Sequence, residues 1–139
     1  MTDTLPQKQV RKHLRILVVE DSDVLREMFL KAFQNSAHTM HAASSVKEGW
    51  KLYLDMAPDI VFLDIGLPDG SGNDLACMIK DQNPDTYIVM ATASRHIDDK
   101  KEAVHNRVDG FITKPFSKKE VSDYVDRCML ALRKNHHDQ

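Results

Sequence analysis

Five side chains in this 139-residue chain have the types and positions to do chemistry together. Glu20 and Asp21 close the apolar run "RILVV" at 15–19, and Asp64 closes "DIVFL" at 59–63. Thr92 ends "YIVMAT" at 87–92, and Lys114 follows "GFIT" at 110–113. A carboxylate at the end of an apolar run is costly to bury unless something cationic meets it. Carboxylates packed together also raise one another's pKa. Lys114 supplies one cation. A hard divalent ion is the natural second, because oxygen-only ligands with several waters suit Mg²⁺.

Whether these residues meet depends on the elements that carry them. "RILVV", "TMHAA" (39–43), "DIVFLD" (59–64), "YIVMAT" and "GFIT" read as five strands. Apolar residues at helical spacing follow each. The first helix presents Leu25, Met28, Phe29, Ala32 and Phe33. The second opens on the capping box Ser45-x-x-Glu48 and presents Val46, Trp50, Tyr53 and Leu54. Leu75, Met78 and Ile79 mark the third, which follows a turn-rich loop "GLPDGSG" and stops at "NPD". A fourth, over about 97–105, has only Ile97 and Val104 as a weak apolar face, with Asn106 as a left-handed cap. The fifth opens on Ser117-x-x-Glu120 and presents Val121, Tyr124, Val125, Cys128 and Leu132. Alternating strands and helices, with strands that are continuous apolar runs, predict an α/β fold: a doubly wound parallel sheet covered on both faces.

In such a sheet, ligands bind at the carboxyl ends of the strands. Glu20, Asp21, Asp64, Thr92 and Lys114 all fall there. Each has a blander reading alone. Glu20-Asp21-Ser22 caps a helix, Asp64 before "LPDG" is a turn aspartate, and Thr92 is ordinary in a strand. Independent caps and turns do not explain the whole set at the ends of four strands.

Composition narrows the function classes. Hydrophobic residues make up 42%, charged residues 29%, and the formal net charge is −2. No general field exists to attract nucleic acid or anionic lipid. No apolar run is long enough to span a bilayer, and a cytoplasmic location is expected. Residues 1–13 read as a flexible leader, 14–134 as one domain and 135–139 as a polar tail. Cys77 and Cys128 lack metal-type spacing and are expected to be buried, reduced thiols. His38 and His41 lack a third ligand, and His136 and His137 sit in the tail. No phosphate-cradling glycine loop or nucleophile elbow is present.

The stretches "ILVVEDS", "DIVFLDIGLPDGSG", "VMATAS" and "DGFITKPF", in that order, resemble the receiver domain of two-component response regulators. The resemblance covers residues 15 to about 133. It implies a flavodoxin-like strand order of 2-1-3-4-5. It implies Asp64 as phosphoryl acceptor, with Glu20, Asp21, Asp64 and the backbone carbonyl of Gly66 around Mg²⁺, Mn²⁺ being a substitute. Thr92 and Lys114 would complete the catalytic set, and Thr92 with Phe111 would form the switch. A cis Lys114-Pro115 bond is implied too. Glu20 stands where Asp is commoner in the family. The implied donor is a sensor histidine kinase or a histidine phosphotransfer protein. The implied output is a downstream protein met through the fourth helix, fifth strand and fifth helix, by a monomer or a weak phosphorylation-dependent homodimer. Neither nucleic acid nor membrane is contacted, and the only catalysis is the domain's own phosphorylation and slow dephosphorylation.

The chemistry can also be stated without the family. A carboxylate is a competent nucleophile toward phosphorus, and phosphoryl transfer needs positioning and charge neutralisation more than covalent help. Three alternatives stay open at this point. The chain could be the receiver part of a longer regulator with a DNA-binding or enzymatic output. An aspartyl phosphohydrolase of the haloacid-dehalogenase type would need a second Asp where Gly66 stands. A flavin protein would need a Ser/Thr/Gly loop where "EDSDVL" is acidic.

Overall fold

The computed structural model describes residues 13–93 and 107–137, with side chains described as far as Arg133. The five expected strands are β1 (Arg15–Val19), β2 (Thr39–Ala43), β3 (Ile60–Leu63), β6 (Tyr87–Thr92) and β7 (Gly110–Thr113). The loop after Asp64 contains a feature not anticipated, a small antiparallel ribbon of β4 (Gly66–Leu67) and β5 (Gly70–Ser71). The described helices are α1 (Asp23–Phe33), α2 (Val46–Met56), α3 (Gly72–Gln82) and α4 (Lys118–His137). The helix expected over about 97–105, its cap Asn106, and residues 1–12 of the leader lie outside the described residues. The left-handed residue seen just beyond that gap is Arg107, with φ of 64°.

Strands run in the order β2-β1-β3-β6-β7 and every pairing in this sheet is parallel. Alternate strand residues feed two cores, as the two-residue period of a strand requires. Ile16, Val18, Ile60, Phe62, Val89 and Ile112 pack under α1 and α4. Leu17, Val19, Val61, Leu63, Ile88 and Met90 pack under α2 and α3. This is the doubly wound arrangement expected.

Local signals act as read. Ser45 Oγ accepts from Glu48 N at 3.1 Å, while Glu48 Oε1 reaches back to Ser44 N at 2.7 Å. The Ser117–Glu120 box closes fully, with bonds of 3.0 and 3.2 Å. Three readings need correction, the first being Met78 of α3, which is 38% exposed rather than on the buried face. Leu54 is 52% exposed, and the buried line of α2 runs through Gly49 and Tyr53. A Cβ on Gly49 would meet the Val19 side chain at 3.0 Å, so the helix sits closest to the sheet where it has no side chain at all. Counting apolar side chains cannot see such a line. Cys128 is buried but Cys77 is exposed. Cys77 lies on the outer side of α3, whose inner side is Leu75, Ala76 and Ile79.

The amino ends of the strands are held by a buried lysine. Lys80 is 5% exposed. Its ammonium donates to Thr86 O at 2.6 Å, Asp109 Oδ2 at 2.9 Å and Pro84 O at 3.2 Å. Asp109 Oδ2 also accepts from Ile88 N at 2.8 Å.

Candidate functional site

At the opposite end of the sheet the strand termini converge. Glu20 N bonds Ala43 O and Asp64 N bonds Val19 O, continuing the ladders one residue past the strands. That places Glu20 and Asp64 side by side, 2% and 8% exposed, with Asp21 exposed beside them. Oxygens of Glu20, Asp21 and Asp64 all lie within 4.8 Å of one another. Lys114 enters from the end of β7. Its Nζ is 3.0 Å from Asp64 Oδ2 and 2.7 Å from Glu20 Oε1. The Lys114-Pro115 bond is cis, as the resemblance implied.

The charges are unevenly balanced. Burial, the largest influence, and the charge of Asp64 raise the Glu20 carboxyl above its ordinary value, against the pull of Lys114 and Ser22 N–H. Burial alone would lower Lys114, but Glu20 and Asp64 together overcome it and hold the ammonium above its ordinary value. Ser22 N donates to Glu20 Oε2 at 3.1 Å. Glu20 Oε1 is buried with no hydrogen bond directed at it among the described residues, and meets Lys114 as an ion-pair contact. Three carboxylates are thus clustered beside one ammonium, which pairs with only two of them, Glu20 and Asp64. An all-oxygen set with spare negative charge, its atoms within 4.8 Å of one another, has the chemistry that suits Mg²⁺.

Two further residues complete the surroundings. Thr92 is buried at the end of β6, and Lys114 N bonds its carbonyl at 3.0 Å. Its register partner on β7 is Thr113, whereas Phe111 lies opposite Met90. Thr92 and Phe111 are thus diagonal neighbours on one face rather than a direct pair. The Phe111 ring is half-buried against the α2–α3 core. Its backbone is gripped from outside: Phe111 N donates to Tyr124 Oη at 3.3 Å, and that hydroxyl donates to Phe111 O at 3.1 Å. The sequence reading placed Tyr124 only as a core residue of the last helix.

Gly72 sets how close α3 approaches. A Cβ there would lie 2.0 Å from Asp64 O and 2.8 Å from its carbonyl carbon. Only glycine lets the start of α3 pass behind the backbone of Asp64. By contrast His38, weighed as a metal ligand, accepts from Leu14 N through Nδ1 at 2.9 Å. Among the described residues, the carboxylate cluster is the one group arranged to hold an ion. No described helix is long and apolar enough to cross a membrane.

Residues 16–126 match the family described as the response regulator receiver domain. The transcriptional regulatory protein PhoP of Escherichia coli O157:H7 is 33% identical over 122 residues, 88% of this chain and 53% of that protein. The chain thus spans about half the length of the PhoP relatives it matches. The chemotaxis protein CheY of Halobacterium salinarum is 29% identical over 84% of this chain and 98% of its own length. In fold, the chain is similar to a CheY-like receiver domain protein from Methanospirillum hungatei JF-1. The TM-score is 0.84 at 19% identity, covering 87% of this chain and 97% of that one.

Proposed function

The chain belongs to the response regulator receiver family, and on that premise we propose that Asp64 is its phosphoryl acceptor. The observation that carries this assignment is a buried carboxylate 3.0 Å from the Lys114 ammonium, inside a cluster of oxygens suited to a divalent ion. One Asp64 oxygen attacks phosphorus as the bond to the donor's leaving group breaks, and that group departs with the electron pair. Glu20, Asp21, Asp64 and the Gly66 carbonyl would hold Mg²⁺, with Mn²⁺ as a substitute. When bound, the ion supplies neutralisation of charge on the phosphoryl oxygens. Lys114 neutralises another oxygen and the Thr92 hydroxyl donates to a third. The domain works in the cytoplasm, and the donor is a sensor histidine kinase or a histidine phosphotransfer protein. The domain catalyses nothing beyond its own phosphorylation and slow dephosphorylation.

Incubation with Mg²⁺ and acetyl phosphate, followed by intact mass, tests this reading. A gain of about 80 Da, one phosphoryl group, is expected. Continued phosphate release over many turnovers, with no adduct, would instead mark a phosphohydrolase.

The four proposed metal positions are not equivalent. Glu20 already spends its oxygens on Ser22 N and Lys114. Asp21→Ala should weaken Mg²⁺ binding about tenfold or more, through loss of a full charge close to the ion. Glu20→Gln should weaken it about threefold or less, since it removes a charge that Lys114 already offsets. Calorimetry reads both, and equal affinity in the parent and Asp21→Ala would remove Asp21 from the site.

Phosphorylation would leave through the face built by the segment before β7, β7 itself and α4. Drawing Thr92 toward the phosphoryl group vacates space diagonal to Phe111, into which the ring can turn. Burying a whole aromatic ring contributes roughly 1.5–3 kcal/mol. This one is already half-buried, so the shift expected is about tenfold. Phe111→Ala should leave phosphorylation of Asp64 nearly intact while uncoupling it from partner binding or dimerisation. Phosphorylation-induced NMR shifts confined to the pocket, and absent from 95–133 in the parent apart from Lys114 and its immediate neighbours, would exclude this face.

A further inference from the structure

The ribbon that follows Asp64 is clamped at both ends. At its base, Gly72 N donates to Ile65 O at 2.7 Å, and Gly66 N approaches Asp64 Oδ1 at 3.4 Å. At its tip, the carboxylate of Asp69 lies on the amino end of α2. Asp69 Oδ1 accepts from Val46 N at 2.7 Å and Oδ2 from Lys47 N at 3.0 Å. These bonds bridge 23 and 22 residues of chain.

A helix leaves its first N–H groups without internal partners. In α2 the cap residue Ser45 serves Glu48 N, and its carbonyl serves Gly49 N. Val46 N and Lys47 N are served by Asp69, which comes from another part of the fold. The same bonds, from Lys47 first and then Val46, hold the Asp69 carboxyl below its ordinary value, so it stays charged at the positive end of the helix. The ribbon needs this anchor. It has only two residue pairs, too few to be stable alone. Gly66 is exposed, and nothing lies within 4 Å of where its Cβ would be. Leu67, half-buried on the α2–α3 core, is the ribbon's other hold.

We infer that Asp69 is a positioning residue for the phosphoryl pocket: by tying the ribbon tip to α2 it fixes the Gly66 carbonyl and the backbone beside Asp64. This rests on the receiver reading of the pocket. Asp69 touches neither the phosphoryl group nor the ion. It acts through the rest of the ribbon, residues 66–68 and 70–71, which join its anchor to the site.

The test compares the parent, Asp69→Ala and Asp69→Asn by NMR, with acetyl phosphate labelling run alongside. Asp69→Ala should raise the Mg²⁺ dissociation constant about three- to tenfold, the scale of one lost helix cap expressed as an equilibrium. Asp69→Asn, whose carbonyl still accepts one N–H, should recover part of it. In metal-free protein the Gly66 and Gly72 amides should exchange faster in Asp69→Ala, together with Val46 and Lys47. A lowered melting temperature with unchanged Mg²⁺ affinity and unchanged Gly66 and Gly72 exchange would reduce Asp69 to a helix cap and overturn the inference. A parent that neither binds Mg²⁺ nor takes a phosphoryl group would overturn the receiver reading of the pocket. The exchange comparison, which needs no ion, would still decide whether Asp69 holds the ribbon.

Discussion

Replacing Asp64 with alanine should abolish the gain of about 80 Da that the parent acquires from acetyl phosphate and Mg²⁺. No other carboxylate in the pocket can stand in. Glu20 has one oxygen bonded to Ser22 N and the other held against Lys114, so both are already engaged. Asp21 is exposed, and neither a hydrogen bond nor an ion pair joins it to Lys114 among the described contacts. Elsewhere, Asp69 and Glu48 are committed to helix caps and Asp59 accepts from Arg15 N at the far end of the sheet. The variant should stay folded, because Lys114 keeps Glu20 as its partner at 2.7 Å and one of three crowded negative charges is gone. Thermal unfolding measured beside the mass separates the two effects. An adduct of parental yield in a folded Asp64→Ala protein would move the acceptor elsewhere.

Lys80→Met should cost about 3 kcal/mol of stability without changing the chemistry. Removing one partner of a buried ion pair costs about 3–5 kcal/mol, because the other charge stays behind unpaired. The lower end applies here, since Asp109 is 31% exposed and keeps the N–H of Ile88. Two carbonyls, Pro84 O and Thr86 O, would also lose their donor. The contacts lie at the amino ends of β6 and β7, so the acidic pocket at the carboxyl ends is left untouched. Denaturant unfolding should show a lower midpoint at unchanged slope, while the folded fraction takes the phosphoryl group at the parental rate. A double-mutant cycle with Asp109→Ala isolates the pair. A loss below about 1 kcal/mol would mean that the lysine is held as loosely as a surface ion pair.

The sequence by itself determined the sheet, because strands buried on both faces must be continuous apolar runs, and such runs stand out between helical periods. It also determined the helix starts at Ser45 and Ser117, where the cap and its partner lie three residues apart and need no other part of the fold. The convergence of Glu20, Asp21, Asp64 and Lys114 was legible too, because the rule that ligands gather at strand carboxyl ends turns positions along the chain into positions in space.

Tertiary structure decided everything that rests on a partner distant in the chain. Lys80, in the polar stretch "IKDQNPD", reads as a solvated lysine until the Asp109 carboxylate and two carbonyls surround it. Two of its three acceptors are backbone oxygens, which every residue carries, so no residue type announces them. Asp69 reads as a turn aspartate for the same reason: its partners are the N–H groups of Val46 and Lys47, more than twenty residues away. The exposure of Leu54 and Cys77 followed from how α2 and α3 roll against the sheet, and for α2 that roll is set by Gly49, which has no side chain to count. Even within the legible set, only the fold gave Lys114 two partners, Glu20 and Asp64, drawn from the ends of the paired strands β1 and β3. Apolar burial is written locally and repeated along the chain, so it can be read there. A specific polar contact is a meeting of two distant points, and the crossing of the chain alone decides which donor finds which acceptor.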